Sequence, residues 1–306
     1  MRDTDVVLVN GARTAFTKFC GSFREISAID LGAVAAKEAI CRADVNPEEV
    51  DQVVIGNAYQ SSNDAHILAR HVGLKAGIPI PAPALTINRL CGSGLESIIS
   101  AARLIQTGES TMALAGGTEN MSQIPFVIRG ARWGVPYGSK PVEDVLWEGL
   151  TDTYAGCNMA ITAENLAAKY GLTREEIDKH ALLSHEKALA AMQKGYMQQE
   201  IVPVTVHEKK TARIVDKDEQ PRETTMEKLS GLKARFKDDG VVTAGNASGV
   251  NDGAAAFILT SAKHAEARGL EPMARIVSWE VIGVEPTIMG IGPVPAIRNA
   301  LKKRPV

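Results

Sequence analysis

The sequence has 306 residues, a formal net charge of −2, and 45% hydrophobic but only 5% aromatic residues. This length suffices for one large domain, or two domains, with a buried core. The nearly balanced charge and the few aromatic residues argue against nucleic acid as a partner, because such surfaces are basic and stack bases on aromatic rings.

Strands and helices alternate through the first 119 residues. We predict strands at 6–9, 50–56, 84–88 and 112–115, and helices at 29–42, 65–76 and 94–106. Asp30 is the expected N-cap of the first helix, and the Gly116-Gly117 pair is expected to form a turn after the fourth strand. This alternation predicts an α/β fold with a mostly parallel sheet that is covered on both faces.

The pattern changes after residue 119. Segment 121–140 is rich in Gly, Pro and Arg, and helix-like patterns then follow at 152–170, 173–194 and 225–237. An apolar strand at 253–261 could complete the first sheet. We therefore predict three parts: an N-terminal α/β core at 1–119 completed by 243–270, an inserted loop domain at 120–242, and the start of a C-terminal α/β half at 271–306.

That C-terminal part contains a predicted strand at 273–281 and an amphipathic helix at 293–302. Their order repeats that of the first strand and first helix, which suggests an internal duplication. A half-sheet ending at Val306 would leave apolar faces and strand edges uncovered, so we expect the chain to be truncated and its second half incomplete.

Cellular location and metal content are predicted from the N-terminus and the cysteines. Residues 1–11 lead directly into a strand without the features of a signal peptide, and no stretch approaches the roughly 20 apolar residues of a membrane-spanning helix. Cys20, Cys41, Cys91 and Cys157 lie far apart and form no C-x-x-C pair, so we expect neither a zinc site nor disulfides. These observations predict a protein of the cytoplasm, or of an equivalent reducing compartment, with no membrane partner and no metal.

Cys91 is the strongest candidate for chemistry, because it follows a predicted strand and immediately precedes a helix. A thiol at a helix N-terminus is favoured as the thiolate, and the glycines that follow it could let backbone amides hold an oxyanion. The alternative is a buried structural thiol, since free cysteine is among the most buried residue types. Cys41 is expected to pack on the apolar face of its helix, while the roles of Cys20 and Cys157 stay open.

Five motifs resemble those of the thiolase family. They are NRLCGSG at 88–94, GGTENMS at 116–122, TAEN at 162–165, TAGNASGVNDG at 243–253 and MGIGPVPA at 289–296. They occur in the family's order and span essentially the whole chain. The resemblance implies two similar layered α/β halves with a loop domain inserted in the first, and acyl transfer between an enzyme cysteine and coenzyme A.

The resemblance also assigns residues to roles. Cys91 would be the nucleophile that becomes acylated. Coenzyme A, which would act as a substrate and not as a permanently bound cofactor, would contact six residues of the loop domain and its flank: Arg222, Thr224, Ser248, Leu150, Met159 and Phe236. A solvent-exposed surface charge is the alternative for Arg222.

Segment 121–140 resembles the region through which family members form tetramers, so we expect a homo-oligomer, either a dimer or a tetramer.

Three further motifs of the family would lie beyond Val306: Asn-Glu-Ala-Phe, Gly-His-Pro with an acid/base histidine, and a second cysteine in a Gly-rich loop. None of the six histidines present lies in a Gly-His-Pro setting. We therefore expect the 306-residue chain alone to be incompetent for full turnover, because thiolysis and condensation both need a base.

Thiolysis of 3-ketoacyl-CoA, or condensation of two acetyl-CoA, is the leading functional hypothesis. A condensing enzyme on the same fold fits less well, because the long inserted segment and the TAEN motif are thiolase features. A non-catalytic acyl-CoA- or lipid-binding relative is the alternative outside enzymes.

Overall fold

A seven-stranded sheet forms the centre of the first of two structural units. The structure is a computed structural model that describes residues 5–138, 141–208 and 211–303. This unit comprises the described parts of Met1–Gln123, Gly195–Gln220 and Val250–Val277. The second unit comprises those of Ile124–Lys194, Pro221–Gly249 and Ser278–Val306.

The secondary structure is as follows. The strands are β1 Val6–Arg13, β2 Thr17–Lys18, β3 Gln52–Gly56, β4 Ala84–Ile87, β5 Met112–Asn120, β6 Phe126–Val127, β7 Glu143–Asp144, β8 Thr151–Asp152, β9 Cys157–Asn158, β10 Val204–Glu208, β11 Thr211–Val215, β12 Asn251–Ser261 and β13 Ala274–Arg275. The α-helices are α1 Ala28–Arg42, α2 Leu68–Lys75, α3 Ser93–Gln106, α4 Val145–Gly149, α5 Met159–Tyr170, α6 Arg174–Gln193, α7 Tyr196–Glu200, α8 Met226–Ser230, α9 Ala262–Ala267 and α10 Pro293–Lys302. Short 3-10 helices occupy Pro47–Glu49, Ala65–Ile67, Met121–Gln123, Ala131–Trp133 and Pro286–Ile291.

The sheet is mixed, so the prediction of a mostly parallel sheet is wrong. Its order is β13-β1-β12-β5-β3-β4, with β2 paired to β12. β3 runs parallel to β4 and β5, as expected for strands joined through helices. β12 returns to the sheet after more than a hundred residues and enters between β1 and β5, antiparallel to both. Sequence periodicity carries no information on strand direction, which is why this reversal was not predicted.

Alternating side chains of the sheet build two cores, one on each face. On β5, Met112 and Leu114 pack with residues of α1 and α2, whereas Ala113 and Ala115 pack with Ala101 and Ala102 of α3 and with other residues of that face. This alternation follows from the two-residue period of a strand. The sheet is therefore covered by helices on both faces, and α3, which follows Cys91, lies on the face opposite to α1.

The N-cap of α1 is Ser27, so the prediction of Asp30 is wrong. The Ser27 hydroxyl oxygen accepts a hydrogen bond from the Asp30 amide at 3.0 Å. The Asp30 carboxylate instead accepts bonds from the Ser27 hydroxyl at 2.7 Å and from Lys75 Nζ at 2.6 Å. An acid in the first turn also stabilises the helix, because it lies near the positive end of the helix dipole.

Gly116 and Gly117 do not form a turn, contrary to the prediction, but continue β5 through to Asn120. A Cβ atom at Gly116 would lie 2.1 Å from the backbone oxygen of Ala255 on the paired strand β12. Gly116 therefore permits the close approach of two central strands, β5 and β12, which is a common reason for a glycine inside a strand.

Segment 195–220 also belongs to the first unit, although the predicted boundaries place it in the inserted part at 120–242. The Arg13 guanidinium makes a two-bond ion pair with the Asp218 carboxylate, with Nη1–Oδ1 and Nη2–Oδ2 distances of 2.8 and 2.9 Å, and a third bond of 2.9 Å to Glu200. The strand predicted at 273–281 is reduced to the two residues of β13.

The three domain boundaries stay a prediction, and residues 1–4, 139–140, 209–210 and 304–306 within them lie outside the described residues.

The second unit consists mainly of helices. α5 packs against the 3-10 helix Pro286–Ile291, and α6 packs against α8. The buried Glu164 carboxylate of α5 accepts bonds from the amides of Val241 and Val242 at 2.8 to 3.0 Å. These hydrogen bonds fix the backbone just before the TAGNASG motif. No helix among the described residues is long and apolar enough to cross a membrane.

Candidate active site

Residues 88–92, which we term the Cys91 loop, connect the end of β4 to the first residue of α3. Leu90 has a φ of +46°, a left-handed conformation that side chains other than glycine rarely adopt. Asn88 stabilises this conformation, because its Oδ1 accepts a hydrogen bond of 2.8 Å from the Leu90 amide. The strained residue therefore directly precedes Cys91, at a sharp change of direction between strand and helix.

The Ser93 side chain closes the loop from the helix side. Its hydroxyl oxygen accepts a bond of 2.8 Å from the Arg89 amide, and the hydroxyl donates a bond of 2.6 Å to the Leu90 carbonyl. Ser93 is buried. One buried hydroxyl thus bonds to the two residues before Cys91 and ties them to the start of α3.

Two glycines allow the start of α3 to lie directly on the sheet. A Cβ atom at Gly56, the last residue of β3, would lie 2.5 Å from the carbonyl carbon of Ser93. A Cβ atom at Gly117 of β5 would lie 3.4 Å from Gly94 Cα. The position of Cys91 is therefore set by backbone packing of α3 against β3 and β5.

The Cys91 thiol is exposed and lies at the N-terminal end of a 14-residue helix. The amides of Gly92 and Ser93 each donate a bond of 3.0 Å, to the carbonyls of Arg89 and Leu90 respectively. These two amides are engaged within the loop, so the expectation that glycine-flanked amides hold an oxyanion is wrong for them.

Basic side chains near the loop face an acid on α3. Arg89 Nε lies 3.0 Å from Glu96 Oε2, and Arg103 Nη1 lies 3.2 Å from Glu96 Oε1. The Glu96 side chain is buried. The charge of Arg89 is therefore directed to Glu96.

Three acidic groups at the same end of the sheet have raised pKa values, and sequence reasoning missed all three. Burial raises the pKa of Glu119 to about 7, against the effect of three N–H groups that donate to its carboxylate. Burial also raises the pKa of Asp252, whose carboxylate accepts bonds from the Ser122 amide and hydroxyl. The pKa of Tyr59 is raised mainly by burial and, to a smaller extent, by the charges of Cys91 and Glu119. The signal available for Glu119 and Asp252 was an acid within a motif of mostly small residues, GGTEN and GVNDG respectively.

The other cysteines lack this setting. Cys41 is exposed, so the prediction that it packs on an apolar helix face is wrong: the buried face of α1 is formed by neighbouring small and aliphatic residues such as Ala36, Ala39 and Ile40. Cys20 is exposed and Cys157 is half-buried. The exposure of Cys41 makes it a useful internal reference for the reactivity of Cys91.

In the second unit, Arg222 and Thr224 lie together in a pocket of about 300 Å³. Helix α6 contributes His185, whose pKa is lowered by burial and by the charge of Arg222. The neighbouring Thr225 hydroxyl oxygen is occupied as the N-cap of α8, where it accepts a bond from the Lys228 amide. Of the two threonines, Thr224 is therefore the one that is not used to cap the helix.

Ser248 lies exposed on the loop that follows Thr243. Asn246 shapes this loop by accepting a bond from the Thr243 amide and by donating to Asp178 and to the Val241 carbonyl, at 2.8 to 2.9 Å. Arg222 Nη2 donates a long bond of 3.4 Å to the Ala244 carbonyl of the same loop. The structure thus links Arg222 to the segment that carries Ser248.

The three apolar candidates, Leu150, Met159 and Phe236, are half-buried. Leu150 and Met159 are adjacent, because the Met159 amide donates a bond of 2.9 Å to the Leu150 carbonyl where β8 pairs with β9. The assignments of all three to a ligand channel stay predictions.

Comparison with known proteins identifies the family. The family model described as "Thiolase, N-terminal domain" matches residues 6–263. The chain belongs to the thiolase family. The mitochondrial 3-ketoacyl-CoA thiolase of Bos taurus is 49% identical over 300 residues, which are 97% of this chain and 76% of the relative. The acetyl-CoA acetyltransferase of Syntrophomonas wolfei is 43% identical over 303 residues, with 98% and 76% covered.

Solved thiolase structures have the same fold. Human mitochondrial 3-ketoacyl-CoA thiolase in complex with CoA superimposes with a TM-score of 0.94 at 49% identity, over 99% of this chain and 76% of that chain. The acetyl-CoA acetyltransferase of Bacillus anthracis gives a TM-score of 0.95 at 44% identity, over 98% and 76%. The predicted thiolase fold, thiolase function and acyltransferase class are confirmed.

The predicted cytoplasmic location is contradicted by the relatives. The 3-ketoacyl-CoA thiolases of Bos taurus, Mus musculus and Homo sapiens, at 48 to 49% identity, are mitochondrial by name. The prediction used the absence of signal-peptide features at residues 1–11 as a sign of a reducing compartment. That reasoning cannot distinguish the cytoplasm from the mitochondrial matrix, because both keep thiols reduced.

Proposed function

We propose that Cys91 is the residue of this thiolase that becomes acylated, with a 3-ketoacyl-CoA as the substrate class. The observation that carries the proposal is the exposed thiol held between left-handed Leu90 and the first turn of α3. The relatives named 3-ketoacyl-CoA thiolase, at 46 to 49% identity, support this substrate class alongside those named acetyl-CoA acetyltransferase, at 43 to 46%.

In the proposed reaction, the Cys91 thiolate attacks the C3 ketone carbon of the substrate and forms a C–S bond. The C2–C3 bond then breaks, its electron pair remains on C2, and C2 takes up a proton as acetyl-CoA leaves. Over the whole cycle, this proton is the one that the thiol of the incoming CoA gives up in the second step. The resulting thioester on Cys91 is attacked by the thiolate of a second CoA, which takes the acyl group and restores the Cys91 thiolate. We expect the base for this step in the Gly-His-Pro motif of the family, and not among the six histidines of this chain. Two steps with a covalent intermediate replace one difficult carbon–carbon bond cleavage.

We further propose that the second unit binds the CoA portion of the substrate. Arg222 and Thr224 line one pocket, and Ser248 lies on the loop that Arg222 contacts. A guanidinium suits a phosphate or the face of adenine, and a serine on an exposed loop suits an amide of the pantetheine arm. Leu150, Met159 and Phe236 would supply apolar contacts. The human relative solved with CoA supports coenzyme A as the ligand.

The intact mass of the purified chain after incubation with acetyl-CoA tests the proposed role of Cys91. We expect the mass to increase by one acetyl group, and peptide mapping to place that group on Cys91, because a competent nucleophile takes the acyl group from the thioester. A chain that binds acetyl-CoA without gaining mass would indicate a non-catalytic acyl-CoA-binding protein and would contradict the proposal.

Substitutions in the second unit test the CoA contacts. Arg222→Ala and Ser248→Ala are each expected to weaken CoA binding by roughly 1 to 3 kcal/mol, because each removes a polar contact to the ligand. Isothermal titration with CoA measures the change. The matched control is Arg298→Ala, which removes an exposed positive charge from α10 of the same unit and should leave affinity unchanged. Unchanged affinity in both test variants would contradict the assignment.

We also propose that the chain forms a homo-oligomer, a dimer or tetramer, through the segment around Trp133. Segment 126–147 exposes several large apolar side chains: Phe126, Trp133, Val135, Tyr137, Val142 and Trp147. Exposed apolar patches of this kind commonly mark protein–protein interfaces. Sedimentation of the purified chain measures its oligomeric state.

A further inference from the structure

We propose that Glu119 is a positioning residue for Cys91. Its carboxylate holds the segment 57–59 after β3, and that segment in turn holds the Cys91 loop in its reactive conformation. The inference rests on the proposed role of Cys91 as the acylated residue. It assigns a role to the acid of the GGTENMS motif, which does not contact the reacting atoms.

The first link is the set of donors around the Glu119 carboxylate. It accepts hydrogen bonds from the Ala58 amide at 2.7 Å, from the Tyr59 amide at 3.1 Å and from Asn57 Nδ2 at 2.9 Å. All three donors belong to consecutive residues that leave the sheet at the end of β3. One side chain of β5 therefore fixes the direction in which this segment leaves the sheet.

The second link joins segment 57–59 to the Cys91 loop. Asn88 Nδ2 donates a bond of 2.8 Å to the Ala58 carbonyl, and Asn88 Oδ1 accepts a bond of 2.8 Å from the Leu90 amide. The Asn88 side chain thus uses its amide nitrogen to bind segment 57–59 and its amide oxygen to bind the Cys91 loop. A continuous series of hydrogen bonds runs from Glu119 through Ala58 and Asn88 to the left-handed residue that precedes Cys91.

The third observation concerns charge. Burial raises the pKa of Glu119 to about 7, the three N–H donors oppose this rise, and the negative charge of Asp252 on β12 adds to it. The other titratable groups facing this region are Tyr59, at the end of the segment, and Cys91, whose charge acts on Tyr59. Glu119 therefore changes charge near neutral pH. Its bonds to segment 57–59 are stronger when it is ionised, because a charged acceptor binds N–H groups more tightly than a neutral one.

The reactivity of Cys91 should therefore report the ionisation of Glu119. We expect iodoacetamide to label Cys91 faster than the exposed Cys41 of the same chain. We also expect the ratio of the two rates, each divided by the ionised fraction of its own thiol, to show a step of about fivefold near pH 7, with the higher value on the alkaline side. Peptide-resolved mass spectrometry from about pH 5 to about pH 9 measures both rates in the full chain.

Glu119→Gln removes the ionisation and keeps the size of the side chain. We expect the step near pH 7 to disappear and the ratio to stay at its low-pH value throughout. Asp51→Asn is the matched control. Asp51 lies at the opposite end of β3, where its carboxylate accepts bonds from the Ser110 hydroxyl at 2.6 Å and the Thr111 amide at 2.7 Å. It should retain the wild-type profile, because its partners lie away from the Cys91 loop.

A wild-type profile without a step near pH 7 would overturn the inference, and this holds even if Glu119→Gln does not fold. A folded Glu119→Gln variant with the wild-type profile would overturn it as well. The two proposals fail in different ways. Absence of acetyl transfer from acetyl-CoA to wild-type Cys91 contradicts the proposed function, whereas normal acetylation with no effect of Glu119→Gln on the labelling profile contradicts the role of Glu119 alone.

Discussion

Cys91→Ser is expected to abolish acylation of the chain by acetyl-CoA while leaving its fold intact. The substituted side chain is exposed and nearly the same size, so packing around it changes little. A hydroxyl group supplies almost no oxyanion near neutral pH, even at a helix N-terminus, whereas a thiol in that position ionises readily. We expect the acylation rate to fall by at least about 1,000-fold, as for other removed nucleophiles.

Cys41→Ser is the matched control for this experiment. It makes the same chemical change at another exposed cysteine, which lies at the C-terminal end of α1 and is not the proposed site of acylation. Its acylation rate should equal that of the wild type. Intact mass measures the acylation rate of each variant, and circular dichroism checks that it is folded. Acetylation of Cys91→Ser at the wild-type rate would contradict the assignment of Cys91.

The sequence contained enough information to predict several helices in both units. The predicted helix at 29–42 corresponds to α1 at Ala28–Arg42, and the one at 94–106 corresponds to α3 at Ser93–Gln106. The prediction of a helix at 293–302 agrees with α10. These helices carry apolar residues at regular spacing, and such local periodicity is set by short stretches of chain.

The errors arose where structure depends on distant partners. The strand predicted at 273–281 has the right composition, but only Ala274–Arg275 is assigned as a strand, paired with β1. The amides of the flanking Met273 and Ile276 also donate bonds to carbonyls of β1, and the residues after them leave the sheet. The Gly116-Gly117 pair has the local signature of a turn, yet both residues lie in the sheet because β12, more than a hundred residues later, packs closely against them. Pairing over such separations leaves no signal in either segment alone.

The same distinction applies to the candidate site. Cys91 could be found because its strand, loop and helix are consecutive in sequence. Glu119, Asn57 and Asn88 come from three separate segments that meet only at one end of the folded sheet. Their polar side chains look ordinary in sequence, and their role emerges only from hydrogen bonds that join β5, the segment after β3 and the Cys91 loop.

Gly56→Ala is expected to destabilise the chain and to slow acylation of Cys91 at the same time. The added Cβ atom would lie 2.5 Å from the carbonyl carbon of Ser93 and 2.6 Å from its oxygen, so backbone and not a flexible side chain must move. We expect a loss of about 2 to 4 kcal/mol in the free energy of unfolding, since overpacking against backbone exceeds the small entropic gain of replacing glycine.

The displacement acts on the site through Ser93, whose hydroxyl bonds to Arg89 and Leu90 hold the Cys91 loop. Gly94→Ala is the matched control for stability, because a Cβ atom there has no neighbour within 4 Å and alanine is favoured in a helix by about 0.5 to 1 kcal/mol. Urea unfolding of both variants measures the difference. A Gly56→Ala midpoint equal to that of the wild type would show that the start of α3 can shift freely on β3, and that the sheet does not set the position of Cys91.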